Sequence, residues 1–588
     1  MQNGLRMSEI TYIDAEVLVI GGGLAGARAA LETSAAGLKT VLLVKALLGK
    51  SGCSIFAGNL NYFATPESQG EATPTQDERE QAVQRTMAFL AKYTHYLGDQ
   101  EYMRNASEYH QKEFFPWLEK RGLYLLRDEH GAVVTDHPKH SQAWAVKMGM
   151  SGTIIMDMMR KAVLASSVIL LEQTTATRLL TSDGEVVGAV ALDYVNGRIF
   201  VIRAKAVILA TGHSNFLSRR STGTRDGAAN GWVMAFQAGA ALQNIEMQWY
   251  HVSDVAYPNT WMRLHLYPNP LPDTAHRNRL YNRQGELFFD GNWFPDNPVP
   301  YILQLKHLVK QVWAGKARLD GDYYASYQHV EPHVLEKYIY QTQFMAKIGV
   351  DLKTEWMECG VTWHMNVGGV RANGQTMETD VPGLLAAGSV SALVTGGLAN
   401  VMYDGIVAAR TALERVKSLP SLKPLDPRQV QQETGRILSL LRTEPKDGLS
   451  PAQVKRRLRD LSWEHLNYMK SEVSLRSALA GLDQIEMDLS RMRLPSDTLR
   501  FNYDWVDALD AVDMVQALKL LTQFSLYRQE SRGGFFREDY PFTDNERWLV
   551  HVIGYRQPDG SLRLEERPVD LPYARPAESK ADYFALDY

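Results

Sequence analysis

The sequence has very little cysteine. Its 588 residues include only two, Cys53 and Cys359, which lie far apart and outside any C-x-x-C motif. Two thiols cannot hold an iron–sulfur cluster without help, and no other pattern indicates a metal site, so we expect no metal centre in this chain. We expect both cysteines to be small buried side chains in a reducing compartment.

Long apolar runs and blocks of one charge are also missing. No apolar stretch approaches the roughly 20 residues of a membrane-spanning helix, and the N-terminus has no signal-peptide pattern. The formal net charge is −4 and no basic block stands out, so neither nucleic acid nor an anionic membrane surface is an expected partner. We therefore predict a cytoplasmic protein without direct membrane insertion.

The first 50 residues contain a dinucleotide-binding fingerprint. An apolar strand over residues 17–20 leads into Gly21, Gly23 and Gly26 in G-x-G-x-x-G spacing, and an alanine-rich helix follows through residue 36. A second strand over residues 39–44 completes a βαβ unit of about thirty residues. The glycines permit a tight turn, close approach to a pyrophosphate and close helix packing. We predict that this turn, with Leu24 and Ala25 in the first helical turn, binds a nucleotide cofactor.

The acid expected at the end of the second strand, to hold a ribose, is missing, because Val44 and Lys45 stand there. The run from residue 44 to residue 53 resembles the flavoproteins of succinate dehydrogenase and fumarate reductase, which have a small residue and lysine, then an Arg-Ser-His-Thr tetrad. The resemblance implies FAD, with Lys45, Ser51 and Gly52 among its contacts. Gly52 stands where that family attaches the flavin to histidine, so we predict noncovalent FAD, as in the similar adenylylsulfate reductase α-subunit and L-aspartate oxidase.

The resemblance covers roughly residues 14–550. It continues through Ala-Thr-Gly at residues 210–212, Thr-Arg-Asp-Gly at residues 224–227 and Gly-Leu-Leu-Ala-Ala-Gly at residues 383–388, and the C-terminal segments 528–533 and 537–541 match the family's closing signature. It implies five further FAD contacts: Thr211, Gly212, Asp226, Gly388 and Ser389.

These patterns predict an α/β fold for the FAD-binding domain, within a chain that is α+β overall. We expect a Rossmann-like FAD-binding domain assembled from the discontinuous segments 14–240 and 366–418, with an inserted capping domain over residues 241–365 that is rich in Trp, Tyr, Pro and His. Apolar residues at three-to-four spacing after Ser450-Pro451 and again over residues 506–524 predict a helical bundle within residues 425–534. Residues 535–588 form the predicted tail, with a hairpin around residues 558–560.

Two histidines are the candidate catalytic residues. The segment 246–251 resembles the family's Glu-Phe-x-Gln-Tyr-His and ends in Tyr250 and His251, and the segment 362–370, with Trp363 and His364, resembles its Thr-Ala-His-Tyr-Thr-Met-Gly-Gly-Ile. In the family both histidines contact substrate. Histidine can bind a carbonyl oxygen and move a proton near neutral pH. We predict an aromatic pocket that His251, His364, Tyr250 and Trp363 line, together with Trp249 and Trp261.

Two arginines of the resembling family are absent. The family has Gly-Ala-Asn-Arg where this chain has Val401 after Leu-Ala-Asn, and the cap stretch 298–301 has no Arg-Asp. Without bidentate guanidinium groups a dicarboxylate would be left unpaired, so we expect that neither succinate nor fumarate is a substrate. Arg277 and Arg279 are candidates to supply replacement charge.

The leading hypothesis is an FAD-dependent oxidoreductase that transfers hydride next to a carbonyl, on a small cyclic organic acid or ketone. A second hypothesis is an adenylylsulfate reductase α-like subunit that forms a flavin–sulfite adduct. A third is an inactive flavin-bearing binding or assembly subunit. The resembling adenylylsulfate reductase α-subunit works with a ferredoxin-like β-subunit, so an iron–sulfur protein is an expected partner. An oligomer is compatible with the sequence.

Overall fold

The computed structural model describes residues 10–57, 60–63, 75–109, 113–123, 142–145, 151–257, 279–290, 300–335, 339–393 and 397–586. The elements up to residue 243 are β1 (Ile10–Asp14), β2 (Val17–Ile20), α1 (Leu24–Ala35), β3 (Thr40–Val44), β4 (Leu60–Phe63), α2 (Gln76–Tyr93), α3 (Gln100–Tyr109), α4 (Phe115–Glu119), β5 (Gln142–Ala145), α5 (Ser151–Leu164), β6 (Ile169–Glu172), β7 (Thr174–Ser182), β8 (Glu185–Asp193), β9 (Arg198–Arg203), β10 (Ala206–Leu209), α6 (Asn230–Gln237) and β11 (Leu242–Gln243).

The next elements, up to residue 366, are β12 (Gln248–Tyr257), β13 (Arg279–Asn282), β14 (Leu287–Phe289), α7 (Pro300–Trp313), β15 (Tyr323–Ser326), α8 (Pro332–Leu335), α9 (Ile339–Lys347) and β16 (Met357–Asn366). The remaining elements are β17 (Gly369–Val370), β18 (Leu384–Ala386), α10 (Leu398–Ser418), α11 (Pro427–Ser439), α12 (Pro451–His465), β19 (Met469–Lys470), α13 (Glu472–Leu489), α14 (Tyr503–Tyr527), β20 (Phe536–Arg537), β21 (Phe542–Asp544), β22 (Val550–Arg556), β23 (Leu562–Pro568) and β24 (Lys580–Asp582).

A five-stranded parallel sheet forms the centre of the nucleotide-binding fold, in the order β18-β10-β2-β3-β6. Every residue of β2, β3, β10 and β18 is buried, as expected for a parallel sheet that is covered on both faces. Helices α1 and α10 pack against each other beside this sheet. The strands come from chain segments as distant as residues 17–20 and 384–386, which confirms the prediction that separate segments assemble one Rossmann-like unit.

A second five-stranded sheet is antiparallel, in the order β12-β16-β15-β13-β14, and helix α7 packs on β12. All of these elements lie within the inserted segment or end at its border. The long pair β12 and β16 brings the two candidate histidines onto neighbouring strands.

Helices α12, α13 and α14 pack against one another and form the predicted C-terminal bundle. Ser450 caps α12 through a capping box with Gln453, and Pro451 occupies the first turn, so the sequence prediction of this helix start is confirmed. The predicted apolar stripe on α12 and α13 faces inward, with Val454, Leu458, Leu475 and Leu482 all fully buried.

The predicted tail hairpin is present as the antiparallel pair β22 and β23. It is not isolated, because β22 also pairs with β11 and extends a four-stranded sheet in the order β17-β11-β22-β23. The tail thus pairs with the start of the inserted segment, a long-range pairing that local sequence patterns did not indicate. The exact domain boundaries stay predictions.

Among the helices that the structure describes, none combines the length and the apolar character needed to cross a lipid bilayer.

Candidate active site

The carboxyl ends of four parallel strands bring the predicted cofactor residues together. Gly21 follows β2, Lys45 follows β3, Thr211 lies two residues after β10, and Gly388 lies two residues after β18. Since parallel strands end at the same edge of a sheet, these loops line one crevice, which we call the cofactor edge. Ligands of doubly wound α/β folds bind at this kind of edge.

Two glycines of the fingerprint, Gly21 and Gly26, have the turn and packing roles that their spacing predicts, and the role of Gly23 toward a pyrophosphate stays a prediction. Gly21 has a φ of 116°, and a Cβ at Gly26 would lie 1.9 Å from the Gly21 carbonyl oxygen, so both positions require glycine. Gly23 is the N-cap of α1 without a side-chain cap, and the first turn of α1, which contains Leu24 and Ala25, has no acidic residue. The amide of Leu24 already donates to Ser54 Oγ at 3.2 Å. Because the first turn has no acidic residue, the positive end of the helix dipole is still suited to an anionic pyrophosphate.

Open backbone at two other glycines also fits FAD. Gly212 has a φ of 80° and Gly52 has a φ of 76°, and a Cβ at either would meet no other atom within 4 Å. Such bare main chain lets a planar or phosphorylated group approach closely. The glycines and the helix start of this edge thus fit the cofactor that the sequence resemblance implies.

Asp226 ties the segment around Gly52 to the loop that follows β10. Its Oδ2 atom accepts a hydrogen bond from the Gly52 amide at 3.1 Å. The hydroxyl of Ser51 donates to the Leu47 carbonyl oxygen at 2.8 Å. The structure therefore brings Ser51, Gly52 and Asp226 into one region, as predicted, although their contacts to FAD stay a prediction.

Lys45 is held by the C-terminal bundle. Its Nζ atom donates to Asp510 Oδ1 at 2.6 Å and to Asn230 Oδ1 at 3.1 Å. Asp510, which is 2% exposed, also accepts from Lys455 Nζ at 3.1 Å. Burial alone would raise the pKa of Asp510, but the two ammonium groups lower it. The sequence did not indicate this partner, because Asp510 lies 465 residues away in the chain.

A second buried carboxyl supports the turn at Gly388. The Gly388 amide donates to Asp404 Oδ2 at 2.9 Å, and the Tyr102 hydroxyl donates to Asp404 Oδ1 at 2.7 Å. Burial raises the pKa of Asp404 to about 7, against the lowering effect of these two hydrogen bonds. The next residue, Ser389, is half-buried. Asp404 and Tyr102 were missed because neither lies in a recognisable motif.

A β-bulge positions the two candidate histidines. Trp249 pairs with Met365, while Tyr250 pairs with Trp363, so His364 is the extra residue on β16. His251 pairs with Thr362, and alternation along β12 puts His251 on the opposite face from Tyr250. The ring centroids of His251 and His364 lie 4.2 Å apart at an angle of 38°. We call these two residues the histidine pair.

The histidine pair is connected to the cofactor edge through the loop that follows β10. Thr222 Oγ1 lies 2.8 Å from His364 Nδ1, and the Asn215 side chain donates to the His364 carbonyl oxygen. The amide of Ser214, three residues after Thr211, donates to Asn366 Oδ1 at 3.0 Å. The chain then leaves β16 after Asn366 and forms β17, where Val370 makes a parallel bridge with Ser391 in the segment after Gly388. Two routes thus join the histidine pair to the predicted FAD contacts.

Tyr250 and Trp363 lie in the main hydrophobic core. They are 1% and 0% exposed, and their side chains donate to the carbonyl oxygens of Leu466 and Met365 at 3.0 and 3.1 Å. Trp249 is also buried, in a separate small cluster. Tyr250 and Trp363 are buried on the face opposite His251, which gives them a packing role and opposes a catalytic one. A catalytic role for these two residues stays a prediction.

Arg279, a candidate to supply replacement positive charge, lies far from the histidine pair along the sheet. Arg279 on β13 pairs with Ser326 on β15. The adjacent pair, Ala325 and Met357, aligns β15 with β16. Arg279 is therefore level with a point on β16 that lies about six residues from Thr362, the partner of His251. Six residues of strand span about 20 Å. Arg277 and Trp261, the other residues named for this pocket, lie outside the described residues.

Comparisons with known proteins identify the family. The chain matches the FAD binding domain over residues 16–401 and the fumarate reductase flavoprotein C-terminal domain over residues 455–581. It is 27% identical to a subunit of the fumarate reductase (CoM/CoB) of Methanothermobacter marburgensis, covering 93% of this chain and 98% of that protein. It is 24% identical to the succinate dehydrogenase flavoprotein subunit of Rickettsia conorii, with 95% of each chain covered.

Solved structures agree on the fold. A variant FrdA of E. coli quinol fumarate reductase superposes with a TM-score of 0.84 at 20% identity, over 97% of this chain and 99% of that chain. Adenylylsulfate reductase of Archaeoglobus fulgidus superposes with a TM-score of 0.78 at 18% identity, over 97% and 98% of the two chains. The chain therefore belongs to the FAD-binding flavoprotein family of fumarate reductase and succinate dehydrogenase, and is an FAD-dependent oxidoreductase.

Proposed function

We propose that this chain catalyses hydride transfer next to a carbonyl group, as dehydrogenation or reduction, on a small cyclic organic acid or ketone. The observation that carries the proposal is the histidine pair, which a β-bulge brings together and which Thr222 and Asn215, in the segment that follows β10, contact through His364. Imidazole N–H groups can donate to a carbonyl oxygen and stabilise the negative charge that develops there. Bound FAD would supply the hydride-transferring ring.

The proposal excludes succinate and fumarate as substrates. Val401 lies in the first turn of α10, and its Cβ lies 3.8 Å from the position of a Cβ placed on Gly388. An aliphatic side chain at the cofactor edge cannot pair with a carboxylate, whereas arginine would bind one in a bidentate manner. The Methanothermobacter relative, which is named as a fumarate reductase (CoM/CoB), supports the opposite expectation, so this part of the proposal needs a direct test.

We also propose an iron–sulfur protein as the electron partner, of the ferredoxin-like kind. The chain has two cysteines, Cys53 and Cys359, and an iron–sulfur cluster usually needs four thiolates. Cys359 is fully buried as expected, whereas Cys53 is only half-buried, and desolvation raises the pKa of both thiols, which opposes a redox role for either. The relatives from Methanothermobacter and Rickettsia are both named as subunits, which supports a partner protein.

An anaerobic assay with reduced methyl viologen tests the substrate. Two electrons from the viologen and two protons from water would convert 2-cyclohexen-1-one into cyclohexanone, and fumarate into succinate. We expect viologen oxidation with the cyclic enone and none with fumarate. The control variant Val401→Arg should gain affinity for fumarate without losing bound FAD. Fumarate turnover by the unmodified chain would contradict the exclusion.

Two spectroscopic measurements separate the alternatives. Bleaching of the flavin by sulfite, without enone turnover, would favour an adenylylsulfate reductase-like function, and a flavin that no tested compound oxidises or reduces would favour a binding subunit. We propose that FAD is noncovalent, because Gly52 has no side chain that could bond to it. Acid precipitation should then leave all the flavin in the supernatant, and a coloured pellet would contradict this.

A further inference from the structure

We propose that Thr222 is a positioning residue that sets the tautomer of His364, so that Nε2–H is directed to a carbonyl oxygen of the substrate. This inference rests on the proposed function and adds a residue that no sequence motif indicated. The chemical group that the site recognises is then an oxygen that accepts a hydrogen bond.

The geometry places Nδ1 of His364 beside a hydroxyl group. Nδ1 lies 2.8 Å from Thr222 Oγ1, which is a normal hydrogen-bond distance. The same hydroxyl lies 3.5 Å from the His364 carbonyl oxygen, at the limit of a hydrogen bond, and its proton is assigned to Nδ1, the nearer of the two acceptors. A neutral imidazole that accepts at Nδ1 carries its proton on Nε2 and donates from there.

The backbone around Thr222 is fixed against the strand of His364. The Thr222 amide donates to the Trp363 carbonyl oxygen at 3.1 Å, and the Trp363 amide donates to the Arg220 carbonyl oxygen at 3.0 Å. Ser221 forms a parallel bridge with Trp363. A β-branched side chain on such a pinned backbone has few χ1 choices, so the hydroxyl is held in place.

The bulge explains why His364 needs this support. His364 is the extra residue on β16, at the point where the register with β12 shifts. Its ring centroid lies 4.2 Å from that of His251. A hydroxyl on Nδ1 helps to fix the orientation of the ring at this irregular point of the sheet.

Two variants separate the hydroxyl from the shape of the side chain. Thr222→Val keeps the β-branched shape and removes the hydroxyl, whereas Thr222→Ser keeps the hydroxyl. The first readout is the ¹⁵N chemical shifts of His364 in histidine-labelled, FAD-loaded protein, assigned with His364→Gln. The second readout is the dissociation constant for cyclohexanone, a saturated ketone, followed through the flavin absorbance.

We expect the Nε2–H tautomer in the unmodified chain and in Thr222→Ser, and a mixture of tautomers in Thr222→Val. Loss of one oriented hydrogen bond should weaken cyclohexanone binding by about fivefold to tenfold in Thr222→Val only. An unchanged tautomer in Thr222→Val, or the same defect in Thr222→Ser, would overturn the inference. A tautomer that follows the hydroxyl, in a protein that does not bind cyclohexanone, would support the Thr222 assignment and contradict the proposed function instead.

Discussion

The cofactor edge and the histidine pair differ in the part of the chain that builds them. The cofactor edge is made mainly of main chain, at glycines such as Gly21, Gly23 and Gly212 that follow parallel strands. The histidine pair is made of two side chains on antiparallel strands, which a bulge brings together. A site made of main chain depends on whether a Cβ fits, whereas a site made of side chains depends on register and on supporting hydrogen bonds. Substitutions should therefore affect the two regions in different ways.

The largest effect should come from adding one methyl group at the cofactor edge. In Gly26→Ala the new Cβ would lie 1.9 Å from the Gly21 carbonyl oxygen, so α1 would have to move away from the turn. We expect protein with little or no bound FAD and a lower melting temperature, measured by the flavin-to-protein ratio and by thermal unfolding. The control is Gly435→Ala in α11, where a Cβ meets no other atom within 4 Å and helix propensity favours alanine by about 1 kcal/mol. Normal flavin content in Gly26→Ala would contradict the assigned packing role.

Substitution of the histidine pair should separate activity from cofactor binding. His364→Gln keeps a polar side chain but removes the imidazole that Thr222 orients. Loss of one oriented donor to a developing oxyanion typically lowers the rate by roughly a hundredfold to a thousandfold. We expect that loss in the viologen-coupled reduction of 2-cyclohexen-1-one, with the flavin-to-protein ratio unchanged. A variant that loses FAD and activity together would show that the two regions are not separable.

The same difference explains how far the sequence could be interpreted. The G-x-G-x-x-G turn, the helix after it and the capping box at Ser450 are local patterns, and each is present where it was predicted. The resemblance to a known family then joined the distant strands β10 and β18 to this turn. What could not be predicted depends on long-range geometry: the bulge at His364, the pairing of β22 with β11, and the hydrogen bonds from Thr222 and Asp510.

A smaller effect should come from the ion pair that joins the cofactor edge to the helical bundle. Asp510→Asn would leave the ammonium group of Lys45 with a neutral partner, whereas Lys455 would keep its ion pair with Asp507 at 2.6 Å. Removal of one member of a buried pair costs about 3 kcal/mol, and the partial exposure of Lys45 should reduce this cost somewhat. We expect a lower free energy of unfolding in urea, and weaker FAD retention through the displaced Lys45 loop. The exposed pair Arg476–Glu472 provides the control, since Glu472→Gln should change stability by less than about 0.5 kcal/mol.

The smallest effect should be a pH dependence that originates behind Gly388. Burial raises the pKa of Asp404 from 3.8 to about 7. Between these two pH values the carboxyl group is therefore protonated in the folded state and ionised in the unfolded state. The stability that this proton contributes is therefore fully present below the unfolded pKa and is lost as the pH rises through about 7. Asp404→Asn keeps an oxygen that can accept from the Gly388 amide but does not titrate. We expect the free energy of unfolding of the unmodified chain to fall relative to that of Asp404→Asn by on the order of 1 to 2 kcal/mol between about pH 6 and pH 8. Parallel pH profiles for the two proteins would show that Asp404 is ionised in the fold, and that the turn at Gly388 is held by a carboxylate instead of a carboxylic acid.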